Sequence, residues 1–74
     1  MTPNQCKMAR VGLGWTGTEL ATKAGVMPNT VSNFEKGRGV QMSTAKVLEQ
    51  ALLSSGRVRF EGNDCVCVEN KETE

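Results

Sequence analysis

Histidine and tyrosine are absent from this 74-residue chain, and one tryptophan and two phenylalanines supply all its aromatic surface. The missing histidine removes the commonest general base and the commonest metal ligand. With no plausible nucleophile–base pair and no phosphate-cradling glycine loop besides, the chain is expected not to be an enzyme. The three cysteines, Cys6, Cys65 and Cys67, are odd in number. The last two stand one residue apart, too awkward for a relaxed bridge, so no disulfide framework is expected. A lone Cys-x-Cys pair needs ligands from a second chain to complete a tetrahedral zinc site, so neither a metal nor a cofactor is expected. Few aromatics argue against single-stranded DNA or RNA, whose bases stack on such rings. No apolar run approaches the ~20 residues that span a membrane. The N-terminus lacks a signal-peptide core, and the expectation is a reduced, cytoplasmic protein without a membrane partner.

The length suits one small domain that must pack efficiently or pair with a copy of itself. Its net charge of +1 hides a division. Residues 1–60 hold eight Lys and Arg against Glu19, Glu35 and Glu49, whereas residues 61–74 hold Lys71 against five acids. A basic body with an acidic tail fits a polyanion-binding face whose far end is kept off the phosphates. An ordinary mixed surface with a solvated tail is the other reading of the same charges.

Thr16 to Gly37 organises the chain. Leu20, Ala21 and Ala24 recur at helical spacing behind Thr16 as N-cap, with Glu19 as its capping-box partner. Gly25 stops that helix, and Pro28 suits the first turn of another. Val31 and Phe34 then face inward, while Asn29, Thr30, Ser32 and Asn33 stay outside, and Gly37 ends the second helix. Two short helices about a tight turn make a helix-turn-helix. The stretch resembles the helix-turn-helix of phage-repressor-like (XRE, Cro/C1-type) transcription regulators, roughly from Cys6 to Leu53. The matching positions are Leu13-Gly14-Trp15, Glu19-Leu20-Ala21, Ala24-Gly25-Val26, Thr30-Val31-Ser32 and Phe34-Glu35-Lys36-Gly37. Many relatives carry a phosphate-gripping glutamine at the first position inside the first motif helix. Here that position is Gly17, so the resemblance does not carry that contact over.

Around the motif, Thr2 and Pro3 open a first helix whose Cys6, Ala9, Arg10 and Leu13 share one face, ended by Gly12 and Gly14. A core-facing guanidinium needs a partner. Glu35 is that candidate partner, an Arg–Glu pairing the resemblance also implies; a phosphate contact is the weaker reading of Arg10. Trp15 reads as packing at the core edge rather than base stacking. Ser43 caps a helix from Thr44 to about Ser54, with Val47, Leu48, Ala51 and Leu52 as its apolar stripe. From Arg57 the period switches to 2, predicting a hairpin about Gly62-Asn63. In that register Phe60 opposes Cys65 and Val58 opposes Cys67 on the inner face. Arg57, Arg59, Val66 and Val68 then share the outer face, a candidate dimer interface.

The expected fold is thus mainly α, a four-helix repressor-like helix-turn-helix domain over 1–56. A β-hairpin over 57–68 serves dimerisation or core capping, and 69–74 form a disordered acidic tail. The expected function is sequence-specific binding of double-stranded DNA, as a transcriptional regulator with repression as the default. The recognition helix, about 28–36, enters the major groove, where base pairs are distinguishable. Pro28, Asn29, Thr30, Ser32 and Asn33 are the candidate base-reading residues. Thr16, Lys23, Lys36 and Arg38 are the candidate phosphate contacts. One short helix discriminates too little alone, so a homodimer on a pseudo-palindromic operator is expected, with no small-molecule ligand. An antitoxin-like or other protein-interaction module, using Val66 and Val68 as partner surface, is the alternative.

Overall fold

Each of the first three helices begins on a signal written into the chain locally. The computed structural model describes residues 1–39, 41–62 and 65–69. Helix α1 (Pro3–Gly12) follows Thr2, whose hydroxyl accepts from the Gln5 N–H while Gln5 Oε1 accepts from the Thr2 N–H at 2.9 Å. Helix α2 (Gly17–Ala24) repeats the device with Thr16 and Glu19 at 2.7 and 3.0 Å. Gly25, at φ +75°, closes α2 in the left-handed region, and the Val26 N–H reaches back to the Ala21 carbonyl at 2.9 Å. Helix α3 (Pro28–Glu35) opens on proline, where a missing N–H leaves nothing unpaired.

Helix α4 (Met42–Leu53) departs from expectation: its N-cap is Gln41, not Ser43. The Gln41 carbonyl already accepts from the Thr44 and Ala45 N–H groups at 3.0 and 3.1 Å, so the ladder starts before Ser43 can cap it. Its far end is closed by the hydroxyls of Ser54 and Ser55, which donate to the Ala51 and Leu52 carbonyls at 2.7 and 2.8 Å.

The core forms where the four helices meet. Leu20, Leu48 and Leu52 are its largest fully buried members, with Cys6, Ala9, Ala21 and Val31 between them. Small residues on α1 and α2 let each of these helices come close to α3 and α4, and the leucines fill what remains. Val47, counted into the α4 stripe by spacing, is instead 40% exposed.

The hairpin corrects the expected register. Strands β1 (Val58–Glu61) and β2 (Cys65–Val68) pair antiparallel as Val58↔Val68, Arg59↔Cys67, Phe60↔Val66 and Glu61↔Cys65. Three residues, not two, separate the strands, and a one-residue slip turns every β2 side chain to the opposite face. Val58, Phe60, Val66 and Val68 therefore share the inner face and pack on the helical core. Half-burying two valines that would otherwise stand in water contributes about 1 kcal/mol each, which favours this register. Cys65 and Cys67 go outward with Arg59 and Glu61. Val66 and Val68 are consequently not part of an outer dimer surface with Arg57 and Arg59. The hairpin turn's Asn63 and the expected tail from 70 onward lie outside the described residues.

Two contacts fix the hairpin to α1. The buried Gln5 amide donates from Nε2 to the carbonyls of Gly62 and Cys65 at 2.9 and 3.0 Å. At the other end Gly12 lies so close to β2 that a Cβ there would stand 2.8 Å from Val68 Cγ2 and 3.2 Å from Val68 Cβ. A β-branched side chain has little freedom to swing aside. Gly12→Ala is expected to destabilise the domain by about 1–2 kcal/mol, overpacking outweighing the smaller gain in helix propensity. Adding Val68→Ala should return part of that loss. Urea denaturation of the two single variants and the double variant measures the coupling; additive effects would contradict the contact.

Candidate functional site

Helix α3 turns one side to the core and the other to solvent. Val31 and Phe34 are buried, at 1% and 7% exposure. Asn29, Ser32, Asn33 and Lys36 recur at i, i+3, i+4 and i+7 on the opposite side. Of these, Asn29, Ser32 and Lys36 are exposed and Asn33 is half-buried. Pro28, exposed, and Thr30, half-buried, flank the row. Asn29, Ser32 and Asn33 are short-chained and polar, so each amide or hydroxyl sits close to its backbone and is well placed by it.

Cations frame this row. Lys36 is the C-cap of α3, and Gly37, at φ +80°, turns the chain so that the Arg38 N–H bonds the Asn33 carbonyl at 2.9 Å. Lys36 and Arg38 are both exposed. On α2, Thr16 is exposed as N-cap, and Lys23 lies with its ammonium 4.9 Å from the centre of the Trp15 ring. Trp15 itself is partly buried against the core, which leaves Lys23 as its outer cover.

Beneath the row, an ion pair holds α3 to α1. Arg10 donates from Nε to Glu35 Oε2 at 2.8 Å and from Nη2 to Oε1 at 3.0 Å, while Nη1 reaches the Trp15 carbonyl at 3.0 Å. The fork is bidentate, and the two side chains are only 16% and 10% exposed. Arg10 is thereby held in its charged form above its ordinary value, chiefly by the bond to Glu35. Cys6 completes the cluster, its Sγ 3.5 Å from Glu35 Oε2.

Burial first, and the Glu35 carboxylate second, push the Cys6 thiol from 9.0 up to about 12. A thiolate there would be both desolvated and faced by a like charge. An unfolded chain gives up this proton near its ordinary value and the folded chain does not, so stability is retained below that value and lost above it. The slope is about 1.4 kcal/mol per pH unit above about pH 9. Between pH 8 and 10.5, Cys6→Ala is therefore expected to lose less stability than the natural sequence does in urea titrations. Parallel loss in the two proteins would contradict this assignment.

The other expected interface residues do not come together. Arg57 donates from Nε to the Glu69 carbonyl at 2.8 Å, and Arg59 pairs with Glu61 at 2.9 Å in the open. Val66 and Val68 lie on the reverse face of the hairpin. Gln5 was not singled out in the sequence, although Thr2-x-x-Gln5 has capping-box spacing; its second role, tying down the hairpin, has no sequence signature. Among the described residues, no group of three His, Cys, Asp or Glu is placed to hold a metal ion, and no helix is long and apolar enough to cross a membrane.

Compared with known families, the chain matches the one described as helix-turn-helix over residues 7–55, from within α1 to just past α4. No curated protein matches it.

Proposed function

Because the chain belongs to the phage-repressor-like (XRE, Cro/C1-type) helix-turn-helix family of DNA-binding regulators, we propose that it is a cytoplasmic repressor. It would act as a homodimer that sets α3 into the major groove of a pseudo-palindromic operator. The observation that carries this reading is the row Asn29, Ser32, Asn33 and Lys36 on the solvent side of α3. An asparagine amide gives and takes hydrogen bonds at once, which matches N6 and N7 of adenine. Ser32 and Thr30 are short enough to meet a base edge or a thymine methyl, and Pro28 offers apolar contact alone. Lys36, Arg38, Lys23 and Thr16 form the phosphate set, which fixes position rather than sequence.

Magnitude argues for two copies. A good bidentate contact discriminates by about 1–3 kcal/mol, while an operator must stand about 4–10 kcal/mol above non-specific DNA. Two recognition helices about 34 Å apart supply the difference. Repression follows from size, because covering a promoter needs no further surface. The antitoxin-like alternative drew on an outward Val66 and Val68, and their inward packing takes that surface away.

Selection of bound sequences from random duplexes tests the proposal. The expected outcome is a two-fold symmetric consensus with half-sites about one helical turn apart. An asymmetric consensus, or none, would overturn it.

A further inference from the structure

The homodimer reading leaves open where the copies meet, and the hairpin register bears on that directly. The Glu69 N–H bonds the Arg57 carbonyl at 2.7 Å, which makes 57/69 a hydrogen-bonded pair. Antiparallel pairs alternate, so 59/67 and 61/65 are also bonded pairs and 58/68 and 60/66 are not. The backbone groups of Cys65 and Cys67 thus face β1 rather than the open edge, the Cys65 carbonyl also accepting from Gln5 Nε2. The N–H and C=O groups of Val66 and Val68 point away from β1, along an edge where they have no partner among the described residues.

Exposed apolar side chains stand on α1, the helix against which β2 packs. Gln5 and Gly12 of α1 both touch the hairpin. Met8 lies between them on the helix surface and is 40% exposed, and Val11, three residues on, is 59% exposed. An unpaired strand edge beside exposed apolar side chains is a template for another strand.

We infer that β2 pairs antiparallel with β2 of a second copy about a two-fold axis at Val66, and that in this register Cys65 and Cys67 are a redox-sensitive cross-link between the copies. The axis places Val66 opposite its counterpart as a hydrogen-bonded pair. Cys65 then faces Cys67 of the other copy, twice, at non-hydrogen-bonded positions on the outer side of a continuous four-stranded sheet. Cα atoms of such pairs stand about 4.5 Å apart, inside the roughly 4.4–6.8 Å that a disulfide spans. Within one strand the same two cysteines are i, i+2 neighbours, a geometry a disulfide does not bridge without distorting the strand. On the inner side the two valines meet, and Met8 and Val11 of each copy border the junction.

Hydrogen peroxide is the oxidant class. For each bridge one thiol is oxidised to a sulfenic acid with release of water, and the facing thiol displaces a second water to form the S–S bond. Two S–H bonds are lost and one peroxide is reduced to two waters per bridge, with two bridges per dimer. Thiol reductants reverse the step. Oxidation would lock together the pair of α3 helices that an operator needs, so peroxide would prolong occupancy of the site.

Treatment of the full chain with hydrogen peroxide, followed by non-reducing electrophoresis, intact mass and peptide mapping, tests this. The expected product is a covalent dimer lacking four hydrogens relative to two reduced chains, mapped as Cys65–Cys67 links, with Cys6 still a thiol. Cys65→Ser and Cys67→Ser should each abolish the dimer, and Cys6→Ser should leave it intact. Cross-linking retained in Cys65→Ser through two Cys67 residues, or a monomer with an internal bridge, would overturn the inference. The experiment contains no DNA, so its failure is separable from failure of the operator reading. Protein that binds a symmetric duplex as a dimer when reduced, yet does not cross-link under peroxide, would sink this interface alone.

Discussion

Arg10→Ala is expected to lower the melting temperature of the domain by more than any other single substitution at the surface of α1. Breaking this largely buried ion pair leaves the remaining charge without compensation, at a cost of about 3 kcal/mol, the lower end of the range for fully buried pairs. A domain of this size is stable by roughly 4–11 kcal/mol in total, and each kcal/mol shifts its melting point by about 4–8 °C. The fall should therefore be about 12–24 °C. Three donors of Arg10 are engaged, two on Glu35 and one on the Trp15 carbonyl. Arg10→Lys keeps the charge but not the fork, and should fall between the two.

The double variant Arg10→Met with Glu35→Leu distinguishes the worth of the pair from the penalty of breaking it. Replacing both charges with apolar groups of similar size is often neutral or better, so the double variant should melt close to the natural protein. What it should not recover is full DNA affinity. The pair ties the C-terminal end of α3 to α1 and to the turn before α2, and a looser α3 presents its polar row less well. Calorimetry together with duplex titration reads both quantities. A double variant as unstable as Arg10→Ala would show that the fork itself, not its unpaired remainder, carries the stability.

Legibility in the sequence followed the range of the interactions. Thr16 with Glu19, Gly25 and Pro28 are local signals, and each acts on backbone groups within four residues of itself, so α2, the turn and α3 were readable from spacing. Ser43 was an equally good local signal and lost, because the Gln41 carbonyl starts the α4 ladder earlier. The hairpin failed for another reason. With Cys ranked among small hydrophobes, both registers offer an alternating apolar face, and the sequence pattern alone does not choose between a two- and a three-residue turn. The choice is made by contact with α1, where Gly12 admits Val68 and Gln5 reaches the Cys65 carbonyl. Those contacts join residues more than fifty positions apart, beyond the reach of periodicity. The polar row on α3 was legible from its residue types. The ion pair beneath it was readable as a core-facing Arg10 in need of a carboxylate, with Glu35 as the candidate that the resemblance to relatives also implied.

Asn29→Ala and Asn33→Ala are expected to weaken operator binding more than any other change that leaves the fold intact. Each asparagine that pairs with an adenine contributes about 1–3 kcal/mol of discrimination. The proposed homodimer would lose the contact in both half-sites, so each substitution should weaken cognate binding on the order of 30-fold or more, with scrambled duplex almost unaffected. Lys36→Ala belongs to a different physical class. A phosphate contact acts through counterion release, so its loss weakens every duplex alike and lowers the salt slope by about one for each phosphate no longer met. Anisotropy titrations of cognate and scrambled duplexes at several salt concentrations separate the classes. The asparagine variants should keep the slope and lose the sequence preference; Lys36→Ala should keep the preference and lose slope. Asparagine variants that lose affinity equally for both duplexes would place Asn29 and Asn33 on the backbone of the DNA and require another part of α3 to read its bases.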